Sequence, residues 1–284
     1  MPFPKTRTKE TQGFIKEGIN RFLFYDGQLF VLYVPRVAMA RPARARILVS
    51  VHGYSGRMGD SRGRTRVQRY AEYWTDMAES NGWVVLAPHF DEKRFGNNYQ
   101  RLNFSGLRAD IRLNDLIEET GRLLPGIRTH KFLLFGFSGG GQFVHRYVAF
   151  NPERVERAVC GAPGWYMWPD ATLPYPIGVS PNGLFGGVMP RLRALCGANF
   201  LLLVGERDFT QGTFRRRHNQ YDLTRLQGEG RKQRAQKWMA AMRQFAETEH
   251  CNFRMAFKVV PGMAHRVNQR FLEQAGHFLS VERN

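Results

Sequence analysis

The stretch Lys131 to Gly141, KFLLFGFSGGG, restricts the possible folds more than any other in the chain. An apolar run of strand length, Phe132 to Phe135, leads into Gly136-Phe137-Ser138-Gly139-Gly140, and a helix-like stretch, Gln142 to Phe150, follows at once. A buried strand turned sharply into a helix holds its central residue in a strained backbone conformation, with the side chain exposed at the carboxyl edge of a sheet. Small residues two before and two after let strand and helix approach closely. Ser138 is therefore a candidate nucleophile, its oxygen near the positive end of the following helix. The plain alternative is a strand-to-helix turn that contains Ser and Gly without any chemistry.

The rest of the chain alternates in the same way. Asn20 to Tyr25 and Gln28 to Val34 are aromatic and β-branched runs split by Asp26-Gly27, a hairpin signal. Ile47 to Val51 and Trp83 to Ala87 are continuous apolar runs, which predict strands buried on both faces. Between them Val67, Tyr70, Ala71, Trp74, Met77 and Ala78 mark one face of a helix over 65–80. A polar loop then leads to a helix ending near Leu123. Arg157 to Gly161, Asn199 to Val204 and Phe253 to Val260 are further strands. A helix from Arg231 to Thr248 carries Ala235, Trp238, Met239, Met242, Phe245 and Ala246 on one face, and Val267 to Leu279 marks a closing helix. This pattern predicts an α/β protein with a mostly parallel central sheet, an antiparallel N-terminal edge and helices on both faces. A single domain over 1–284 is expected, with 1–18 a polar arm. Residues 161–195, rich in Gly, Pro and aromatics with little periodicity, read as a cap-like insertion over the site.

Composition narrows the function classes. A hydrophobic fraction of 43% supports a sizeable core. Cys160, Cys196 and Cys251 are too scattered for a disulfide framework, so reduced thiols are expected; Cys160 and Cys251 border apolar runs and read as packing residues. No run of 18 apolar residues occurs, and the N-terminal stretch has no apolar h-region, so the expectation is no membrane association and a cytoplasmic location. The net charge of +18 raises nucleic-acid binding. The basic residues, however, are spread over Arg41 to Arg46, Arg62 to Arg69, Arg215 to Arg217 and Arg231 to Arg234, with no recognition motif among them. A generally basic surface is the reading, with no specific nucleic acid as partner.

A serine hydroxyl needs a base to become a nucleophile near neutral pH, and the base needs a group that orients it. In a parallel sheet such groups stand just past the carboxyl ends of strands. Leu201 to Val204 runs into Gly205-Glu206-Arg207-Asp208, and Val259-Val260 runs into Pro261-Gly262-Met263-Ala264-His265. Asp208 and His265 are the candidates, with Glu206 or Asp170 as alternative acids. His89 could line a cleft, whereas His145 lies on the helix after the serine, His130 and His250 precede strands, and His218 and His277 fall in predicted helical stretches. No cluster has metal-ligand spacing and no phosphate-binding glycine loop follows a strand, so no metal and no cofactor are expected.

With these motifs in view, His52-Gly53-Tyr54 after an early strand completes a pattern that resembles the α/β-hydrolase family over about Arg46 to Leu279. The resemblance implies that fold, with Ser138 as nucleophile, His265 as base and then acid, and Asp208 as its orienter. It also implies an oxyanion hole of two backbone N–H groups, from Gly139 and from the early turn, where Tyr54 is the choice; the side chain of His52 is then structural. The chain looks most like esterases of the dienelactone-hydrolase and polyhydroxyalkanoate-depolymerase type, so a small-molecule ester substrate is expected. Tyr54, Phe137, Trp165, Tyr166 and Trp168 are the candidate substrate contacts, suited to an apolar or aromatic ester; packing of the insertion is the alternative role for the aromatics after the strand. An acyltransferase or peptidase with the same triad, or a catalytically silent basic binding protein, stays open.

Overall fold

Strands form where the apolar runs are unbroken. The computed structural model describes residues 15–54, 60–96, 98–104, 107–181, 189–209, 217–218 and 221–281. All but the last four residues of the expected arm lie outside these, as do Ser55, Gly56 and Phe185. Contacts divide the chain into two compact units, residues 1–99 with 103–132, and residues 100–102 with 133–284.

The first unit holds β1 (Gly18–Leu23), β2 (Leu29–Val34), β3 (Arg46–Val51) and β4 (Trp83–Pro88), in the order β1-β2-β4-β3. β1 and β2 pair antiparallel, as do β2 and β4, while β3 and β4 run parallel. β2 and β4 have no exposed residue. The Asp26-Gly27 turn is a five-residue link rather than a two-residue one: Leu23 pairs with Leu29, and Phe24 N–H donates to Gln28 O at 2.8 Å. Gly27 supplies the positive φ of 79° that the link needs. The single helix expected over 65–80 is two, α1 (Asp60–Glu72) and α2 (Thr75–Asn81). The chain leaves helical geometry at Trp74, whose buried indole donates to Ser50 Oγ at 3.1 Å. Burying that large side chain with its N–H satisfied offsets the interruption of the helix. α3 (Ala109–Leu123) completes this unit.

The second unit holds β5 (Phe132–Phe137, from its second residue on), α4 (Gly139–Phe150), β6 (Val155–Gly161), α5 (Met189–Cys196), β7 (Phe200–Gly205), α6 (Leu223–Gln227), α7 (Arg231–Thr248), β8 (Ala256–Val260) and α8 (Gln269–Ser280). The strand order is β5-β6-β7-β8, with β6/β7 and β7/β8 parallel. α4 and α8 pack on β6, and α7 packs on β7. The sheet is thus mostly parallel, with antiparallel N-terminal strands, as the alternation predicts. Within the expected insertion, residues 162–181 form neither helix nor strand, but α5 is regular and buries Leu192, Leu195 and Cys196. Pro190 conceals that helix in the sequence, although proline in a first turn removes no helical hydrogen bond. His218, expected in a helix, stands instead in a two-residue strand, Arg217–His218, paired with Tyr221–Asp222. All three cysteines are free thiols.

One buried histidine pins the backbone in each unit. His52 accepts from Phe90 N–H at Nε2 (3.1 Å) and lies 2.8 Å from Gly53 O at Nδ1, and burial pushes its pKa down to about 3. His145 accepts from Met167 N–H at Nε2 (3.0 Å) and faces Gly141 O at Nδ1 (3.2 Å); burial holds it well below its ordinary value. Each is neutral, with the proton on Nδ1. Unfolded, both would take up a proton near pH 6.5, which the folded state refuses. Their contribution to stability is therefore complete above about pH 6.5 and falls by about 1.4 kcal/mol per pH unit for each histidine as pH drops. For His52 the loss continues to about pH 3. Urea unfolding should give a lower stability at pH 5 than at pH 7, by roughly 2 kcal/mol from His52 alone with His145 adding in the same direction; a stability unchanged or higher at pH 5 would contradict this account.

Candidate active site

The turn after β5 is built on close backbone contact. Ser138 caps α4 with φ 58° and ψ −110°, outside the regions a residue with a Cβ ordinarily occupies. Two main-chain bonds hold it there: Ser138 N–H to Gly161 O (2.8 Å) and Gln142 N–H to Ser138 O (3.0 Å). A Cβ on Gly136 would stand 2.3 Å from Gly140 O, and one on Gly141 would stand 2.5 Å from Gly161 O. Glycine at both positions lets β5, α4 and β6 close on the serine. Gly139 opens α4, so its N–H is among those without a partner inside the helix.

β7 ends at Gly205, and the turn after it carries Asp208, which is wholly buried. β8 ends at Val260, and the following turn, with Gly262 at φ 67°, carries His265. The two turns are laced together. Glu206 N–H donates to Val260 O (3.0 Å), Arg207 N–H donates to Met263 O (2.7 Å), and Gly262 N–H donates to the Glu206 carboxylate (2.8 Å). A Cβ on Gly205 would lie 2.4 Å from Met263 O. Glu206, an alternative acid in the sequence, therefore braces the histidine loop. Asp170, the other alternative, accepts from Thr172 N–H and Oγ1–H within its own turn.

The structure brings Ser138, Asp208 and His265 together. His265 Nδ1 lies 2.6 Å from Asp208 Oδ2, and His265 Nε2 lies 3.0 Å from Ser138 Oγ. Facing a carboxylate, Nδ1 carries the proton, so Nε2 presents its lone pair to the serine hydroxyl. Phe137, expected as a substrate contact, stacks on the His265 ring (centroids 4.8 Å, 28°), and Phe271 meets Phe137 edge-on. Stacking on Phe137, itself wedged by Phe271, restrains the imidazole plane.

The remaining candidates lie as follows. Tyr54 belongs to the first unit, at the end of the described turn after β3, and its carbonyl accepts from Arg66. Trp165 is buried under the Arg234 guanidinium, 3.9 Å from the ring centroid, beside Ile177 and Leu223. Tyr166 is fully buried and stacks on Trp238 at 4.6 Å; the Gln227 side-chain amide bonds both its N–H and its C=O at 2.9 Å. Trp168 is half-buried, its N–H donating to Ile177 O.

Sequence reasoning placed Arg231 and Arg234 on the surface, and both are buried. Arg231 Nη1 reaches Asp208 Oδ1 at 3.3 Å. The signal for them is periodicity: residues 231, 234, 235, 238 and 242 form one continuous helix face, so the apolar stripe of α7 extends back over both arginines.

Comparison by sequence finds no family model and no curated protein that matches the chain. Comparison by structure does. A poly(aspartic acid) hydrolase from Sphingomonas sp. KT-1 superimposes with a TM-score of 0.76 at 22% identity, over 93% of this chain and 99% of that one. A poly(3-hydroxybutyrate) depolymerase from Bordetella parapertussis gives 0.73 at 21% identity, over 88% and 86%. The fold is that of the α/β-hydrolases. An S-formylglutathione hydrolase from Staphylococcus aureus shares it at a TM-score of 0.57 and 12% identity, over 93% of this chain and 98% of that one. In the α/β-hydrolase fold of this chain, Ser138, Asp208 and His265 follow β5, β7 and β8, each just past a carboxyl end.

The tight turn makes a direct prediction. Gly141→Ala forces a methyl group against backbone atoms of Gly161 and Pro163 and should cost about 1–3 kcal/mol or more. Gly197→Ala, where a Cβ would meet nothing closer than 3.7 Å, should change stability by less than about 1 kcal/mol. Urea midpoints of the two variants check this, and similar values would contradict the close-approach account.

Proposed function

We propose that the protein is a serine hydrolase that cleaves carboxylic esters through an acyl-enzyme. The observation that carries this reading is the unbroken hydrogen-bonded chain from Ser138 Oγ through His265 to the buried carboxylate of Asp208. Ser138 Oγ attacks the acyl carbonyl while His265 Nε2 takes the hydroxyl proton. His265 then returns that proton to the leaving alcohol, and water, deprotonated by the same nitrogen, releases the acid. Asp208 keeps the Nδ1–H tautomer and stabilises the imidazolium as it forms. Gly139 N–H, at the positive end of α4, is the first oxyanion donor; Tyr54 N–H stays the second candidate on the sequence resemblance.

For the substrate we infer an apolar, aromatic or polyester-type acyl group. Trp165 and Trp168 stand near the start of residues 162–181, which follow β6 and serve as the substrate-side loop. Phe137 and Tyr166 act from beneath it, through the rings they support. The fold neighbour named for polyester hydrolysis, the poly(3-hydroxybutyrate) depolymerase, supports a repeating ester chain, whereas poly(aspartic acid) is a polyamide. The compartment in this reading is the cytoplasm, in keeping with three free thiols. Among the described residues no helix is long and apolar enough to cross a membrane. The +18 charge favours one second reading, a silent basic protein that binds polyanions. Salt-dependent retention of mixed-sequence DNA at physiological ionic strength would support that alternative.

A fluorophosphonate probe should label the wild-type chain and not Ser138→Ala; an unlabelled wild type would refute the hydrolase reading. On p-nitrophenyl esters of graded acyl length, Asp208→Asn should lower kcat by about 10⁴-fold. Glu206→Gln, which keeps a hydrogen-bonding group beside Gly262, should stay within about tenfold of wild type. Equal losses in the two variants would reassign the acid.

A further inference from the structure

Arg231 stands in an unfavourable place. It is the first residue of α7, where the positive end of the helix dipole repels a cation. It is also 3% exposed, and burial pushes its pKa down while Asp208 opposes that shift. Its position follows from what it reaches. Asp208 divides its two carboxylate oxygens: Oδ2 accepts from His265 Nδ1 at 2.6 Å, and Oδ1 accepts from Arg231 Nη1 at 3.3 Å. Arg234, one turn on, fixes the start of the helix that carries Arg231. Its guanidinium donates to Gly228 O (2.8 Å), to Gly164 O (2.5 Å) and to Glu229 O, spending its donors on backbone carbonyls. Arg231 is thereby held against the carboxylate from a rigid base.

Resting on the hydrolase reading above, we propose that Arg231 is a positioning residue for the acid–base pair. Its guanidinium fixes the plane of the Asp208 carboxylate and offsets its charge, so that His265 stays neutral to lower pH than the carboxylate alone would allow. A buried carboxylate beside an imidazole strengthens its hold on a proton, and an imidazole already protonated cannot take one from Ser138. A cation on the far oxygen weakens that hold. The charged and titratable groups that interact with Asp208, among the described residues, include Arg231 and Arg234 from α7 and the Tyr166 hydroxyl after β6, with Ser138 on the other side of His265. Burial keeps the Tyr166 hydroxyl neutral, and Glu206, Arg207 and Arg266, which flank the pair in its own two turns, are exposed to solvent, so the two arginines are the buried cations beside the carboxylate.

The test is an NMR titration of the His265 ring, assigned by its loss in His265→Gln, alongside the pH dependence of fluorophosphonate labelling. Arg231→Gln should raise the His265 midpoint and move the acid limb of labelling upward with it. Arg231→Lys, which keeps the charge but not the planar fork, should hold the midpoint near wild type while labelling more slowly. In the Asp208→Asn background, where no carboxylate is left to orient, Arg231→Gln should cause no further loss of labelling rate at a pH above the titration, although the guanidinium's through-space effect on the midpoint remains. An Arg231→Gln midpoint equal to wild type, or a further loss of labelling rate when Arg231→Gln is added to Asp208→Asn, overturns the proposal. If Arg231→Gln does not fold, Arg231→Lys decides: a wild-type labelling rate overturns the positioning role, and a slower rate at an unshifted midpoint supports it. A wild-type chain that binds no probe would refute the hydrolase reading, whereas the role of Arg231 would still stand or fall on the titration.

Discussion

Asp208 is a carboxylate wholly withdrawn from solvent, paired on one side with an imidazole and on the other with a guanidinium. Moving an ion of that size out of water costs several kcal/mol even after relaxation, and removing one partner of a buried pair costs about 3–5 kcal/mol. Much of the second unit can be understood as the apparatus that makes this charge tolerable. One oxygen is bound by an imidazole and the other by a guanidinium. The guanidinium starts a helix at the end where cations are disfavoured, and that start is itself clamped by a second buried arginine. The histidine is supplied by a loop whose backbone is tied to the acid's own loop by three hydrogen bonds. Loosening any of these leaves a buried charge without its geometry.

The serine side is held by a different force. There the strain is conformational, of order 1–3 kcal/mol for a residue with φ and ψ like those of Ser138, and it is held by packing rather than by charge. Gly136 and Gly141 let three elements approach until only hydrogen atoms fit between them. A strained turn held by close packing and a buried ion pair held by hydrogen bonds meet at one point, the imidazole of His265. Phe137 connects them mechanically: it precedes the serine in the chain and stacks on the histidine.

Much of this was legible in the sequence, and the rest was hidden for physical reasons. Strands buried on both faces announce themselves as unbroken apolar runs, and α7 is observed over the same residues, Arg231 to Thr248, that its apolar face predicts. Ser138, Asp208 and His265 could be picked out because a parallel sheet brings its strand ends to one edge. Sequence periodicity cannot show that a charged residue continues an apolar stripe, so Arg231 and Arg234 read as surface charge. The break at Trp74 was hidden for the same reason in reverse. Its position fits the helix face, and only the reach of its indole to Ser50 shows why the helix stops. Asp208 is the sequence's choice over Glu206 and Asp170, but position after a strand does not separate the three; their hydrogen-bond partners do, since Asp208 alone of them bonds His265 in the structure.

The buried arginines change the meaning of the basic composition. Residues 162–181 contain no helix or strand, so their carbonyl groups lack the partners that regular structure supplies, and buried carbonyls must find donors elsewhere. Arginine offers five N–H groups in one rigid plane. Arg234 uses its plane on the carbonyls of Gly164, Gly228 and Glu229, and Arg146 uses its own on Gln100, Gln142 and Pro176. Each ties the irregular segment to a helix through the main chain, where a hydrophobic contact would leave the carbonyls unsatisfied. Lysine, with a single nitrogen, could not join three such carbonyls in a plane. Part of the +18 charge is therefore structural, a means of folding an irregular loop over the sheet beside Ser138, and to that extent it says nothing about what the surface attracts.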